Sequence, residues 1–476
     1  MFRNKMIPLE NPFRLTDTER KKILELALSR GGEFAEIFAE YRLFNFINME
    51  EEIIKETAES VILGLGIRVI SGEKTGYGYT NDLSSEKIKK TALTAASIAD
   101  SGKTLSIAAF RRTPGHRDLY PLSRPAHRAS LQDKIELVRR AYLACQRIDP
   151  KIQKVKVLFQ DHVQYLSVVN SEDQTAEDTR PQVKLVCTAV AEKNRRREFG
   201  FFGGGGRVGL EYFEGVLTPE KIGREAAEEA LRLLEAVEAP AGEMPVVLAP
   251  GHAGVLVHEA VGHLAEADFN RKRTSIFWDK LGQKVGSSLL TIYDDPTRPS
   301  FRGSYSIDDE GTPPAKTLLI DRGVVHSFLQ DRLSARLMGR ELTGHGRRQD
   351  YTCIPIPRMS NTYVDRGQDD PEEILKSVTK GIYAERFEGG QVEDSGKFTF
   401  SISAGYLIEG GRLTAPIKQA TLIGTNIDIL QKIEMVGADL EFGLQTGTCS
   451  KEGQEVPVTD GCPTIKISRM TVGGRR

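Results

Sequence analysis

The sequence predicts an α+β protein: a mixed α/β N-terminal domain over residues 1–240, then a β-rich C-terminal domain over residues 241–476. Three observations lead to this prediction. A chain of 476 residues is too long for one ordinary hydrophobic core. Helical patterns alternate with strand-like runs in the first half, whereas the second half is mainly short β-like runs separated by glycines. The segment EAPAGEMP (238–245), with two prolines and a glycine after a long helical pattern, predicts the linker between the domains.

Helices in the first half are predicted from caps and apolar periodicity. Thr16 and Glu19 form a capping-box pattern, which starts a helix that we expect to end near Ser29, before a Gly-Gly pair. Three more helices are predicted near residues 84–100, 130–147 and 218–237, the last with Pro219 near its first position.

Strands are predicted where β-branched and aromatic residues cluster between turn residues. In the first half these runs are residues 35–50, 60–72, 154–170 and 181–193, and GYGYTND (76–82) is predicted to be a turn region. In the second half they are residues 245–251, 316–330, 397–413, 420–426 and 464–474.

Composition excludes several classes of protein. The net charge is −1, so no overall field favours nucleic acid or an anionic membrane. No apolar run approaches the ~20 residues that span a bilayer, and the first twenty residues lack the apolar region of a secretory signal. The five cysteines (145, 187, 353, 449 and 462) are odd in number and scattered, which fits a reducing compartment. We therefore expect a cytoplasmic protein.

Two glycine patterns imitate phosphate-binding loops, and neither has the required context. Gly204, Gly206 and Gly209 give a formal G-x-G-x-x-G, but the next predicted helix starts about ten residues too late for a dinucleotide site. SIADSGKT (97–104) ends like a P-loop, but its first glycine position is Ser97, inside a predicted helix.

The stretch VLVHEAVGHLAEADF (255–269) carries His-Glu-x-x-x-His, one residue longer than the helical His-Glu-x-x-His of zinc proteases. In an ideal helix His258 and His263 would point about 140° apart, which favours two core histidines over a shared metal. A π-bulge would absorb the extra residue and bring positions i and i+5 to one face, and Gly262 would ease the distortion. The sequence therefore predicts a metal site only if the helix widens near Ala260–Gly262.

A catalytic zinc site needs three protein ligands and an open position. The residues alone leave several candidates for the third ligand: Glu266, Asp268 and Cys449, the last in the polar, glycine-bounded segment TGTCSKEGQ. An isolated cysteine is more often a small buried residue than a ligand, which is our interpretation of Cys462.

At these motifs the sequence resembles the TldD/PmbA (modulator of DNA gyrase) metallopeptidases, and more specifically their TldD-like catalytic subunits. The resemblance covers essentially the whole C-terminal half and is looser over the first 200 residues. It rests on GGGGR (203–207), HEAVGHLAEADFNRKRTS (258–275), TGHGRRQDY (343–351), PRMSNTYV (357–364), GGQVEDSGKFTFS (389–401), ATLIG (420–424), VGADLEFGLQTGTCSKEGQEVPV (436–458) and MTVGG (470–474).

The resemblance implies a zinc peptidase that acts on peptides or unfolded small proteins. It implies that His258, His263 and Cys449 are the zinc ligands and that Glu259 is the catalytic base, with Glu266 outside the ligand set. It also implies a dimer, often with a homologous TldE/PmbA-like subunit that lacks the zinc motif. The alternatives are a non-catalytic peptide-binding partner subunit, and a structural zinc site with Cys462 as fourth ligand.

Substrate contacts are predicted less specifically. Sheet-edge addition of an extended peptide would suit broad specificity, and Gly204 and Gly205 could let a substrate backbone come close. Arg347, beside Arg348, could bind a peptide carboxylate or stabilise an oxyanion, the alternative being a solvated or salt-bridged pair. We interpret His252 as a loop or helix-entry residue, and NRRRE (194–198) as a solvated strand end or loop.

Overall fold

Two large, mostly antiparallel sheet systems organise the chain, one built before residue 237 and the other after it. The computed structural model describes Phe13 and residues 15–98, 109–113, 118–392 and 396–474. Of the P-loop-like segment 97–104, residues 99–104 lie outside this range. Among the helices of this described part, none combines the length and the apolar character needed to cross a bilayer.

The N-terminal sheet has seven strands in the order β3-β2-β1-β5-β6-β4, with β7 also paired to β6. Its strands are β1 (Phe34–Glu50), β2 (Ile53–Ser71), β3 (Lys74–Thr80), β4 (Arg111–Arg112), β5 (Ile152–Asn170), β6 (Gln174–Lys193) and β7 (Arg196–Gly206). Its helices are α1 (Asp17–Ala27), α2 (Ser85–Ala96), α3 (Leu131–Gln146), α4 (Tyr212–Gly215) and α5 (Pro219–Leu234), with a 3₁₀ turn at Ala126–Arg128. The predicted helices are confirmed, including the capping box in which Glu19 N–H donates to Thr16 Oγ1 at 3.3 Å.

The C-terminal half contains a closed ring of five strands. Around the ring, each strand is hydrogen-bonded to the next in the order β16-β9-β25-β19-β17, and β17 pairs with β16 to close it. The strands of this system are β8 (Val237–Glu238), β9 (Gly242–Leu248), β16 (Lys380–Val392), β17 (Lys397–Glu409), β18 (Arg412–Lys418), β19 (Ala420–Thr425), β20 (Ile433–Val436) and β25 (Ile465–Gly473).

A second C-terminal sheet has the order β12-β11-β10-β15-β24-β21, and two hairpin-like pairs, β13–β14 and β22–β23, complete the strands. These are β10 (Ile292–Asp294), β11 (Thr317–Asp321), β12 (Val324–Val325), β13 (Gly346–Arg347), β14 (Ile356–Pro357), β15 (Asn361–Val364), β21 (Glu441–Phe442), β22 (Thr448–Lys451), β23 (Gln454–Pro457) and β24 (Thr459–Cys462). The helices are α6 (Val255–Val257), α7 (Ala267–Arg271), α8 (Arg332–Met338), α9 (Pro371–Lys376) and α10 (Asn426–Gln431).

One local prediction was wrong, because a strand runs further than its pattern indicates. GYGYTND is mostly strand β3. A Cβ at Gly76 would lie 2.2 Å from Ala95 O, so its glycines let helix α2 pack closely on the strand. The segment predicted to link the domains includes the end of β8 and the start of β9, and the division at residue 240 stays a prediction.

Buried ion pairs join the N-terminal sheet to the C-terminal half. Arg68 on β2 contacts Glu36 at 2.8 Å and Glu310 at 2.6 Å, and Arg348 contacts the same Glu36 at 2.6 Å. All four side chains are buried. Removal of one partner would leave a charge without compensation away from water.

Arg68→Met is therefore expected to lower the free energy of unfolding by about 3–5 kcal/mol, because Glu310 loses its ion pair. The shift of the urea denaturation midpoint measures this change. The control is Arg112→Met, which removes an exposed pair with Glu177 and should change stability by under about 0.5 kcal/mol. Equal stability of Arg68→Met and the parent would contradict this account of the domain contact.

Candidate metal centre

The histidine-bearing segment is a helix of mixed type. It consists of a 3₁₀ turn (His252–Gly254), α6, a π turn (His258–Gly262) and a second 3₁₀ turn (His263–Ala265). The N–H of His263 donates to the carbonyl of His258, an i→i+5 bond. The predicted widening is confirmed, and it places the two histidines on the same side of the helix.

Gly262 has a different role from the one predicted. Its backbone is helical, with φ −57° and ψ −56°, so glycine is not needed there for an unusual conformation. A Cβ at this position would lie 1.8 Å from Met359 Sδ. The absence of a side chain therefore makes room for packing against Met359.

Cys449 completes a group of three side chains that could hold a metal ion. Its Sγ lies 3.2 Å from His258 Nε2 and 3.4 Å from His263 Nε2. All three ligand atoms lie within 4.8 Å of one another. The two imidazole rings are nearly perpendicular, with centroids 5.2 Å apart.

The hairpin β22–β23 positions Cys449. Its two-residue turn places Glu452 and Gly453 at φ 49° and 73°, which suits the twist of a tight hairpin. Cys449 and Lys451 are buried, whereas the alternate residues of β22 are exposed. Arg358 donates to the carbonyls of Cys449 and Gln454 at 2.6 and 3.0 Å, which fixes both strands.

A carboxylate contacts the Nδ1 atom of each histidine, on the side of the ring away from Cys449. His258 Nδ1 lies 2.7 Å from Asp460 Oδ1, and His263 Nδ1 lies 3.0 Å from Glu266 Oε2. Because a carboxylate accepts, each Nδ1 carries a proton, and each Nε2 faces Cys449. Metal-binding histidines in proteins are typically held in this way.

Glu266 is fixed in turn by buried cations. Its carboxylate lies 3.1 Å from Lys451 Nζ and 3.8 Å from Arg358 Nε. Burial alone would raise the pKa of Glu266, but Lys451, His263 and Arg358 lower it to about 2. Lys451 also contacts Asp268 at 2.7 Å, so the two acids considered as third ligands are held by this lysine.

The electrostatics of the three candidate ligands favour a thiolate at Cys449. Burial would raise the pKa of its thiol, but His258 and His263 hold it well below its usual range. Against the effect of burial, Glu266 and Cys449 raise the pKa of His263 to about 10. The thiolate, rather than the thiol, is the form of cysteine that binds a metal ion.

Glu259 lies beside this group. Its Oε2 is 3.7 Å from His263 Nε2, and its side chain is 24% exposed, which leaves it open to a small molecule. Burial raises the pKa of this carboxyl, and the neighbouring imidazoles lower it.

The donor set fits a tetrahedral zinc with one open position. Zn–S of ~2.3 Å and Zn–N of ~2.0–2.1 Å place sulfur and nitrogen about 3.6 Å apart in a tetrahedron, close to the 3.2 and 3.4 Å observed. Cys462 does not add a fourth ligand. Its Sγ lies 3.4 Å from Ala249 O, and the metal-binding group found among the described residues consists of the two histidines and Cys449.

Asp460→Asn is expected to weaken metal binding about 10- to 100-fold, because the amide no longer fixes the His258 ring through a charged acceptor. Competition with a fluorescent chelator measures the change. Asp428→Asn removes an exposed carboxylate that pairs with Lys432, and it should bind metal like the parent. Unchanged affinity of Asp460→Asn would contradict the orienting role.

Sequence reasoning missed Asp460, Lys451 and Arg358. Lys451 and Arg358 lie within segments that carry the family resemblance, but no spacing relates them to the histidines. Asp460 follows in the next strand, where a lone acid in TDGC gives no metal-site signal. Only the folded chain brings them together.

The structure explains the glycine run within the fold. Gly204 and Gly205 lie at the end of β7, paired with β6. A Cβ at Gly205 would lie 2.0 Å from Val183 O, and one at Gly204 would lie 2.3 Å from Leu217 Cδ2. The close approach that these glycines allow is therefore to the protein itself.

The predicted arginine pair is buried. Arg348 is ion-paired with Glu36, whereas Arg347 donates to the carbonyls of Met359 and Pro457 and forms no ion pair within the described chain. His252 begins the mixed helix, as its interpretation required. The N-R-R-R-E segment consists of the exposed turn at residues 194–195 and the first three residues of β7.

Comparison with known proteins places the chain in a family. Family models match along most of its length: "PmbA/TldA metallopeptidase domain 1" over residues 35–99, the "central domain" over 124–234 and the "C-terminal domain" over 241–474. The "Metalloprotease TldD homolog" of Haemophilus influenzae is 40% identical over 98% of both chains. The chain belongs to the TldD/PmbA metallopeptidase family.

A further relative and two solved structures are similar to almost the whole chain. A protein named "Zinc metalloprotease TldD homolog", from Saccharolobus solfataricus, is 26% identical over 95% of this chain and 99% of its own. The crystal structure of a putative modulator of DNA gyrase from Thermotoga maritima matches with a TM-score of 0.78 at 23% identity, covering 96% of this chain and 99% of that one. TldE from Thermococcus kodakarensis matches with a TM-score of 0.74 at 19% identity, covering 96% and 100%. These likenesses show the TldD/TldE-type α+β fold.

Proposed function

We propose that this protein is a zinc-dependent peptidase that hydrolyses peptide bonds in peptides or unfolded small proteins. The observation that carries the proposal is that Cys449 of β22 meets His258 and His263, which lie at the two ends of the π turn that also carries Glu259. The metalloprotease names of the relatives support the reaction class, and one relative's name supports zinc.

In this proposal, His258, His263 and Cys449 would hold the zinc, which would supply Lewis acidity and lower the pKa of a water molecule. Asp460 and Glu266 orient the two imidazoles through their Nδ1 atoms. Glu259 accepts the proton of the attacking water and passes it to the leaving amine, since its carboxylate lies beside the ligand atoms and is partly exposed.

The substrate is proposed to bind as an extended strand. Within the described chain β22 pairs only with β23, so the other edge of the strand that carries Cys449 has no strand partner. Addition of a peptide there would recognise its backbone and tolerate many side chains. Because the glycine run packs against the protein itself, we leave contacts of Gly204 and Gly205 with substrate out of this proposal.

We further propose a dimeric working form, with a second copy or a homologous TldE/PmbA-like subunit as partner. The TldE likeness supports a shared fold for such subunits. Purification from the native host, followed by mass measurement of the intact complex, distinguishes the two assemblies. A monomeric mass with full activity would contradict the proposal of a dimer.

A metal-removal experiment tests the function, with any native partner retained. Cleavage of quenched fluorescent peptides should stop on chelation and return on addition of zinc, with about one zinc bound per chain. Cleavage that survives complete metal removal would contradict the proposal. Tight peptide binding without cleavage by the zinc-loaded protein would instead support the non-catalytic partner subunit.

A further inference from the structure

A cavity of about 450 Å³ lies between the N-terminal sheet and the hairpin that carries Cys449. Strands β5 and β6 form one side, and residues of β22–β23 form another. Its wall carries seven lysine and arginine side chains. Arg42 is ion-paired with Glu40, and the other six define what we call the cationic cavity: Arg180, Lys184, Arg207, Arg302, Arg347 and Arg348.

Two of the six cations have partners. Arg180 contacts Asp178 and Asp309 at 2.9 and 2.6 Å, and Arg348 contacts Glu36. The carboxylates of these ion pairs are buried, and each is bound to one of these two arginines.

Four of the cations have no carboxylate partner anywhere in the described chain: Lys184, Arg207, Arg302 and Arg347. The three arginines are buried, with 2–8% of their surface exposed. The acids in the cavity wall are Asp309, which is engaged by Arg180, and the exposed Glu455. Buried cations without counter-charges are costly, so the arrangement favours a bound anion.

Neutral groups hold these arginines in place. Arg207 Nε donates to Ser304 O at 3.0 Å, Arg302 Nε to Gly447 O at 2.7 Å, and Arg347 Nη2 to Pro457 O at 2.9 Å. The carbonyls fix each guanidinium but do not neutralise it. A preorganised set of this kind is how proteins recognise carboxylate and phosphate oxygens.

The pKa values of three of these basic groups are lowered, as expected for buried cations without an ion-paired carboxylate. Burial, with Arg207 and Arg347 nearby, lowers the pKa of Arg302 to about 9. Burial likewise lowers the pKa of Arg207 to about 10, and with Arg302 it lowers that of Lys184 to about 8.

The cavity shares its wall with the metal centre. Arg302 Nη2 lies 3.3 Å from Thr448 Oγ1, and Arg347 holds Pro457, the residue that pairs with Thr448. Thr448 directly precedes Cys449, and the two side chains project to opposite faces of β22. An anion in the cavity would therefore lie just behind the strand on which we propose that substrate is cut.

We propose that the cationic cavity binds carboxylate groups of an acidic peptide substrate and so anchors the peptide beside the metal centre. This inference rests on the proposed function and adds a substrate class to it. The carboxylate can belong to Asp or Glu side chains or to the peptide's C-terminus, since both present the same oxygens to the arginines.

Binding is tested in the zinc-loaded Glu259→Gln protein, in which peptides should remain intact. The four probes share one sequence, with either Glu or Gln at two positions and with either a free or an amidated C-terminus. A peptide that carries the recognised carboxylate should bind about 10- to 100-fold more tightly than its amide counterpart. The Glu/Gln and acid/amide comparisons identify which carboxylate is recognised.

Lys184→Gln removes one wall cation that forms no hydrogen bond within the described structure, so folding should survive. It should reduce the preference for the carboxylate about tenfold and leave binding of the fully amidated peptide within about twofold. The matched control is Lys193→Gln on the same strand, which removes an exposed pair with Glu235. It should leave the preference unchanged.

Equal binding of acidic and neutral peptides would overturn the inference, as would a preference that persists in Lys184→Gln. Inorganic phosphate that binds in a Lys184-dependent way while acidic peptides do not would also overturn it. Because the assay measures binding, its outcome is separate from that of the proposed function. If the zinc-loaded parent protein did not cleave peptides, the peptidase proposal would be contradicted, even if the preference for a carboxylate were found.

Discussion

Glu259→Gln is expected to keep its zinc and to lose peptide hydrolysis by about 10²–10⁴-fold. Glutamine has the shape of glutamate but cannot accept the proton of the attacking water. Glu259 is not one of the three proposed ligands, so the metal should stay. Peptide turnover and metal content measured on the same sample test both halves of this prediction.

The control for this variant is Glu225→Gln, which changes a half-buried glutamate on α5 outside the candidate ligand group and should behave like the parent. Turnover by Glu259→Gln at the parent rate would exclude Glu259 as the base. Loss of the zinc together with activity would show that Glu259 acts in metal binding.

Cys449→Ser is expected to lose most of its zinc and its peptidase activity. The thiolate is the strongest of the three donors, and the buried imidazoles that stabilise it favour the ionised sulfur. A serine hydroxyl stays protonated and is a weak ligand. Metal content after dialysis against a moderate chelator measures the loss.

Cys462→Ser is the matched control, because it changes a second buried thiol of the same domain that lies outside the ligand group. It should retain about one zinc per chain. Zinc retained by Cys449→Ser but lost by Cys462→Ser would mean that the two thiols have the opposite roles.

The widened helix could be predicted from the sequence because the spacing of the two histidines makes a structural demand. His258 and His263 can converge only on a widened helix, and the π turn at His258–Gly262 provides it. Periodicity could not select the third ligand from Glu266, Asp268 and Cys449, since the last is nearly two hundred residues away. The family resemblance selected it, and the fold brings it within 3.4 Å of both histidines.

The order of helices and the β-rich second half were predicted from caps and patterns. The ring of β9, β16, β17, β19 and β25 was not, because strand order depends on long-range pairing that leaves no local pattern. The same reason explains why β3 was predicted to be a turn. Its glycines are needed for the close packing of helix α2, which is a long-range contact.

The surroundings of the site were also beyond sequence reasoning. Asp460, Lys451 and Arg358 act through partners distant in the chain, and isolated charged residues are ordinarily read as solvated. The basic residues of the cationic cavity are likewise scattered between residues 180 and 348. The net charge of the whole chain is −1, so composition gives no sign of a local excess of positive charge. Burial without a counter-charge becomes visible only in the folded molecule.

Zinc K-edge X-ray absorption on the zinc-loaded protein tests the central claim most directly. The account predicts one sulfur at ~2.3 Å, two imidazole nitrogens at ~2.0–2.1 Å and one light-atom ligand from solvent. The sulfur contribution should disappear in whatever zinc Cys449→Ser retains. A zinc shell without sulfur, or with two sulfurs and no solvent ligand, would contradict the assignment of His258, His263 and Cys449 as an open, catalytic site.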